Sequence, residues 1–270
     1  RGSNEQISNI ARNFNLAVKS NGVDIGVRVE TLSESFGNIT DVAHSPKLVF
    51  RSSLDDEVRT FCVCPRGFVK LESSYGILTV NGESYSERSG IKSPNTNFAI
   101  LVHQDFTEPF DDPIGYGNKI ASLANDLGKT VIIQTLRNLL EGRRSTPDRL
   151  KRNAVKPTLK DAVAGDLNLV IPYKFMLAIK EKFQALMRVS AINIDNTVCY
   201  GVEVKQYAKK VVTDKNGQSA IPGLYFIGDG GGSTRGILQA SMQGILAAWH
   251  IVNMEIKKTV LARCLKKERR

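Results

Sequence analysis

The chain of 270 residues holds only four cysteines, three histidines and one tryptophan, with 7% aromatic residues, and each scarcity excludes something. Four cysteines in this length do not make a disulfide framework, so reduced thiols are expected. His44, His103 and His250 stand isolated, without the paired spacing of a structural zinc site or the partners of a hydrolytic triad. No metal site is expected, and each histidine reads as structural. No apolar run approaches the roughly 18 residues of a membrane span, and no charged-then-apolar leader opens the chain. The expectation is a cytoplasmic protein with no membrane partner.

Acidic residues are also short, 27 against 37 Lys and Arg, which gives a net charge of +10. The excess is local. Residues 141–160 and 255–270 each carry seven Lys/Arg against two acids, and the rest of the chain is balanced. The plainer reading of these segments is solvated surface; the other is a positive channel for a phosphate-bearing ligand. A nucleic-acid-binding protein is disfavoured by the localised charge, the few aromatics and the lack of a binding motif.

With 41% hydrophobic residues the chain can bury one large core or two modest ones. Ile7, Ile10, Ala11, Phe14, Leu16 and Val18 mark a helical pattern ended by Ser20-Asn21-Gly22. Val23 to Glu30 alternates apolar with other residues, a strand with one face buried and Arg28 on the face opposite Val27 and Val29. Arg28 there reads as an ordinary exposed strand charge. From about 46 to 104 the pattern is β-rich, with turns such as Asn81-Gly82, and implies an antiparallel sheet or partial barrel. Ser84 to Asn97 has almost no apolar residue and is a long loop. Helices are expected over Pro113 to Gly128, Leu136 to Leu140 and Pro172 to Val189, and strands over Thr130 to Gln134, Thr197 to Val204 and Tyr207 to Thr213. Gly142 to Pro157 is an exposed excursion. The tail from Glu255 has Leu261, Cys264 and Leu265 as its anchors.

Cys62-Val-Cys64-Pro-Arg-Gly67 places two thiols on one face of a strand. Two readings stand: small buried residues at a strand end, or a redox pair with Arg66 lowering a thiol pKa.

Residues 221–240, Ile-Pro-Gly-Leu-Tyr-Phe-Ile-Gly-Asp-Gly-Gly-Gly-Ser-Thr-Arg-Gly-Ile-Leu-Gln-Ala, read as a turn, a short strand over Leu224 to Ile227, a glycine-rich bend and a helix from about Arg235 to Val252. Such a bend lets backbone N–H groups converge on an electron-rich ligand at the helix N-terminus. Asp229 is placed to accept hydrogen bonds from ligand hydroxyls. Ala240, Gly244 and Ala248 form a smooth stripe, and Ile237, Leu238, Ile245, Leu246 and Ile251 cover much of the rest. A helix of that kind is expected to be buried on most sides.

Gly223 to Gly232, followed by Arg235-Gly-Ile-Leu-Gln-Ala-Ser241, resembles the carboxyl-terminal flavin motif of FAD-dependent oxidoreductases of the two-dinucleotide-binding kind. Arg59 to Gly67, Ser93 to Phe98 and Gly201-Val-Glu-Val-Lys205 resemble more narrowly the bacterial FAD-dependent dehydrogenase family. The resemblance implies that FAD is held by Gly228, Asp229, Gly230, Gly231, Gly232, Arg235, Gly236, Ile237 and Leu238, with Asp229 on the ribityl chain and the amides of 236–238 at the pyrimidine edge. It implies hydride or electron transfer to an organic small molecule, with NAD(P)H as a candidate donor. Cys62, Cys64 and Arg28 are the candidate catalytic residues.

Members of that family begin with a strand, a G-x-G-x-x-G turn and a helix, and no such motif is present here; the nearest glycine clusters are Gly115-Tyr-Gly117 and 228–232. The expected partner is therefore an amino-terminal FAD-domain segment. The expected fold class is α/β plus α+β: a β-rich substrate-side domain with helices, followed by the closing part of a Rossmann-like FAD-binding domain. Residues 1–22 are expected to form a connecting helix, 23–200 the substrate-side domain, 201–254 the carboxyl-terminal part of the FAD-binding domain and 255–270 a basic tail. The competing reading is a non-catalytic module that binds a nucleotide or another anionic ligand.

Overall fold

The computed structural model describes residues 4–43, 45–74, 76–107, 109–110 and 112–267. His44 lies outside them, as do the side chains of Leu261, Cys264 and Leu265. In chain order the elements are α1 (Asn4–Asn13), β1 (Val18–Lys19), β2 (Val23–Leu32), α2 (Ser33–Thr40), β3 (Val49–Arg51), β4 (Glu57–Cys64), β5 (Phe68–Ser74), β6 (Ile77–Glu83) and β7 (Asn95–Gln104). Then come α3 (Pro113–Gly128), β8 (Ile132–Thr135), α4 (Leu136–Glu141), α5 (Pro147–Lys151), β9 (Val163–Ala164), α6 (Tyr173–Val189), β10 (Thr197–Gln206), β11 (Lys210–Val211) and α7 (Ile237–Lys267). The chain is mixed helix and sheet. No helix among the described residues is long and apolar enough to cross a membrane.

The chain divides into two compact units, one of Val23–Asp105 with Ile114–Lys205, the other of Arg1–Gly22, Phe106–Pro113 and Gln206–Arg270. The larger is built on a seven-stranded sheet in the order β3-β4-β7-β2-β10-β8-β9, with β9 parallel to β8. Its centre is the antiparallel pair β2 and β7, in register from Val23 opposite Gln104 to Leu32 opposite Asn95. Because side chains alternate along a strand, that register sorts the sheet into two faces. Val27, Val29, Phe98, Ile100 and Val102 share one, which is fully buried, with the α2 ring of Phe36 stacked 4.7 Å from that of Phe98. The other face carries Asp24, Arg28, Glu30, Asn95 and Asn97, all of them buried. The hairpin of β5 and β6 packs near this face and closes an apolar cluster with Val69, Val80, Ile133, Val198 and Tyr200.

Strand β2 is thus buried on both sides, and Arg28 has no exposure, against the expectation of a half-buried strand with a surface charge. Alternation identifies the faces of a strand but cannot say what covers each. The stretch 84–94 is a long connection with one short 3-10 turn at Glu87–Ser89, while residues 95–97 belong to β7. Residues 197–206 form one strand, so the position between 200 and 201 falls inside β10. Residues 207–213 retain only the two-residue β11, paired with β1.

In the smaller unit, Ala11, Val211 and Phe226 form a small apolar cluster with Ile7, Leu16 and Leu224. The expected strand over Leu224 to Ile227 is reduced to a single bridge between Gln218 and Tyr225. Helix α7 differs most from its expectation. Ile237 is 89% exposed and Leu238, Ile245, Leu246 and Ile251 are also exposed, with Ala247 its buried apolar residue. A helix that is apolar all round needs cover on every side, and the described part of this unit is too small to give it.

Candidate functional site

Each unit carries one group of residues singled out by the sequence. In the larger unit the chemistry gathers around Arg28. Its Nε and Nη2 donate to Asn97 Oδ1 at 2.9 and 2.6 Å, and Nη2 also donates to the Cys62 carbonyl at 2.8 Å and to Cys64 Sγ at 3.3 Å. Nη1 lies 3.6 Å from Glu203 Oε1, and the Lys205 ammonium lies 3.3 Å from the same oxygen. Lys205 also reaches Glu72 at 3.4 Å. Arg28 and Glu203 have fully buried side chains, and Lys205 is nearly so.

The two thiols are 3.9 Å apart because β4 bulges. Phe61 pairs with Ala99 and Cys64 with Asn97, so one extra residue sits in β4 between them. Cys62 takes a left-handed φ of 47° and Arg66 one of 50°, conformations uncommon for residues with side chains. The bulge leaves Cys62 half-buried and Cys64 buried. Contact with the Cys64 thiol is the largest effect on Cys62 and, against burial, the Arg28 and Lys205 charges help to lower its pKa to about 5. Cys64 moves the other way, raised by the same contact and by burial. Of the two thiols, Cys62 is the one favoured to lose its proton. Burial raises Glu203, opposed by the charges of Arg28 and Lys205.

Two buried cations without counter-charge would be very costly, and Glu203, shared by both, and Glu72 beside Lys205 supply it. Even so, Arg28 Nη1, Asn97 Nδ2 and both Glu203 oxygens are buried without a hydrogen-bond partner. Arg66, expected to act on the thiols, is exposed, and the charges that act on Cys62 are those of Arg28 and Lys205.

In the smaller unit the bend over 228–232 is held from several directions. Gly228 and Gly232 have φ of 71° and 70°, the left-handed region that favours glycine. The Gly228 N–H donates to Gln243 Oε1 at 2.8 Å, and Asn21 Nδ2 donates to the carbonyls of Ala208 and Gly232 at 2.6 and 3.1 Å. A Cβ on Gly231 or Gly232 would crowd the backbone at Phe226 or Lys209. Asp229 is exposed, the Arg235 guanidinium lies 3.6 Å over the Tyr207 ring, and α7 begins at Ile237. The Thr234 hydroxyl oxygen is buried with no partner. An exposed carboxylate, a hydroxyl without a partner and a helix N-terminus are together able to receive a ligand with hydroxyl groups and an electron-rich edge.

Residues 23–206 match the family described as FAD-dependent protein, C-terminal domain-like. The chain belongs to that family. A search of curated proteins found no match. The family segment opens on the first residue of β2 and closes on the last of β10, so it holds Arg28, Cys62, Cys64, Glu203 and Lys205 and leaves the bend at 228–238 beyond its end.

Within this FAD-dependent family segment, Asn97, Glu203 and Lys205 are members of the cluster that a search for reactive residues passes over. A signal was present: the alternation in Gly201-Val-Glu-Val-Lys205 puts the acid and the base on one strand face. Gly82 is another. A Cβ there would overlap Arg28 Nη2 and Asn97 Oδ1, so its glycine makes room for the guanidinium. Part of the basic segment also has a defined setting, since Arg143, Arg149 and Arg152 line a cavity of about 250 Å³ with Arg137, Asn138 and Asp195. His103 Nδ1 donates to Asp24 at 2.7 Å, and His250 meets Tyr225 at 2.8 Å, both as parts of local networks. Among the described residues no three His, Cys, Asp or Glu side chains form a metal-like group.

Proposed function

We propose that this chain is part of an FAD-dependent oxidoreductase of the two-dinucleotide-binding, dehydrogenase-like kind, as found in bacteria, working in the cytoplasm on a small organic substrate. The observation that carries the reading is the family segment itself, which encloses a buried, charge-balanced dithiol cluster. FAD, when bound, supplies the hydride and electron chemistry. In this reading residues 1–22 and 206–254 belong to the FAD-binding, Rossmann-like domain, completed by an amino-terminal segment, 23–205 form the substrate-side domain and 255–270 a basic tail.

Gly228, Asp229, Gly230, Gly231, Gly232, Arg235, Gly236, Ile237 and Leu238 hold the cofactor, Asp229 accepting hydrogen bonds from ribityl hydroxyls. Cys62, Cys64 and Arg28 are the catalytic group. NAD(P)H is the proposed donor, and the cavity with four arginines suits its phosphates. That cavity also favours a second reading, a module that binds a nucleotide or other anion without turnover.

The test is a visible spectrum of the purified 270-residue chain after addition of FAD and removal of the excess. Retained absorbance near about 370 and 450 nm is expected, with retention reduced in Asp229→Ala. A colourless protein at saturating FAD, or an Asp229→Ala variant that retains flavin equally well, would contradict the assigned cofactor residues.

A further inference from the structure

The FAD reading places the dithiol in the catalytic group without naming what it reacts with, and the fold makes a costly arrangement around it. Two thiols that served only as small core residues would need no buried cation. Here Arg28, with no exposure, aims Nη2 at the Cys62 carbonyl and the Cys64 sulfur, and Lys205 lies on the same side. Arg28 Nη1, Asn97 Nδ2 and the Glu203 carboxylate make no hydrogen bond although Arg28 and Lys205 pair ionically with Glu203, so the surroundings are not built for stability alone. The bulge adds the remaining condition. It holds the half-buried Cys62 and the buried Cys64 within 3.9 Å, so one sulfur meets a reagent and the other stands behind it.

We propose that Cys62 and Cys64 form a dithiol–disulfide couple that exchanges two electrons with a small organic disulfide, Cys62 attacking and Cys64 resolving. The Cys62 thiolate attacks one sulfur of R–S–S–R. The Cys62–S–S–R bond forms, the R–S–S–R bond breaks and RS⁻ leaves. Cys64 then gives its proton to that RS⁻ and attacks the Cys62 sulfur as a thiolate; the Cys62–S–S–R bond breaks, a second RS⁻ leaves and Cys62–Cys64 closes. The net change oxidises one protein thiolate and one thiol to a disulfide and reduces one external disulfide to one thiol and one thiolate, with charge conserved. This deepens the oxidoreductase reading by naming a substrate class. It rests on that reading only for reduced flavin as the source of electrons for another cycle, since the exchange itself needs no cofactor.

The experiment uses the full, reduced chain without FAD, with glutathione disulfide as the probe. Remaining thiols are alkylated and the peptide containing both cysteines is weighed. The expected product is that peptide two hydrogens lighter, unalkylated and free of glutathione. Cys64→Ser should instead trap glutathione on Cys62, and Cys62→Ser should react at least about tenfold more slowly at Cys64, because the buried sulfur is poorly reached. A wild-type peptide that stays doubly alkylated, or that keeps a stable glutathione adduct, would overturn the proposal. Circular dichroism of the variants separates loss of fold from loss of exchange. Because the flavin spectrum is measured separately, a chain that exchanges but binds no FAD, and one that binds FAD but does not exchange, are distinguishable outcomes.

Discussion

Gly82 lies on β6 where any Cβ would overlap the Arg28 guanidinium and the Asn97 side chain. Gly82→Ala is therefore expected to destabilise the fold by roughly 1–3 kcal/mol in denaturant unfolding, the usual cost of overpacking a filled core. It should also slow Cys62 alkylation, since a displaced Arg28 no longer steadies the thiolate. Equal stability and equal reactivity would show that Arg28 does not need that space. His103 offers a pH test. Its hydrogen bond with the buried Asp24, the largest effect, raises its pKa against the opposing effect of burial. A raised pKa means that the fold favours the protonated ring. The stabilisation is full below the unfolded pKa of about 6.5 and is lost as pH rises through the folded value. Wild-type stability should fall over that window more steeply than His103→Gln; parallel curves would remove His103 from the account.

At the scale of elements, the pairing of β2 with β7 explains why so many polar groups are buried together. A strand between two others, covered on both faces, must bury whatever the alternation puts there. Asp24 pairs with Arg59 and His103, and Glu30 accepts from Tyr200 and from Asn95 Nδ2 at 2.9 Å, so the acids on that face have partners. Helix α7 is the opposite case. It carries the chain's single tryptophan, Trp249, which is 70% exposed. Its fluorescence should be that of a solvated indole and should shift little on unfolding. Blue-shifted emission that moves to the red in denaturant would show that α7 is covered in solution.

At the scale of the whole molecule, β2 and β10 stand beside each other in the centre of the sheet although they open and close the family segment. Nearly all of the larger unit lies between them in sequence. Residues 23–206 expressed alone should therefore keep a cooperative unfolding transition, with Arg28, Glu203 and Lys205 still assembled. A gradual, non-cooperative melt would mean that the smaller unit is needed to hold the sheet together.

The order of local elements was legible in the sequence, because alternation and helical spacing are local properties of the chain. Helix α6, the strands around β7 and the bend after Ile227 follow from such patterns, and the thiols of Cys62 and Cys64 stand out by spacing alone. Tertiary structure decided the partners. Arg28 reads as an ordinary strand charge until β7, β10 and the β5–β6 hairpin enclose it. Glu203 and Lys205 lie about 175 residues further along and reach it only through strand order, which no local pattern encodes. The short strand expected before the bend fails for the same reason, since ladder hydrogen bonds belong to a pair of strands. The residue types and their faces came from the sequence alone; burial, charge balance and the 3.9 Å approach of the two sulfurs came from long-range packing.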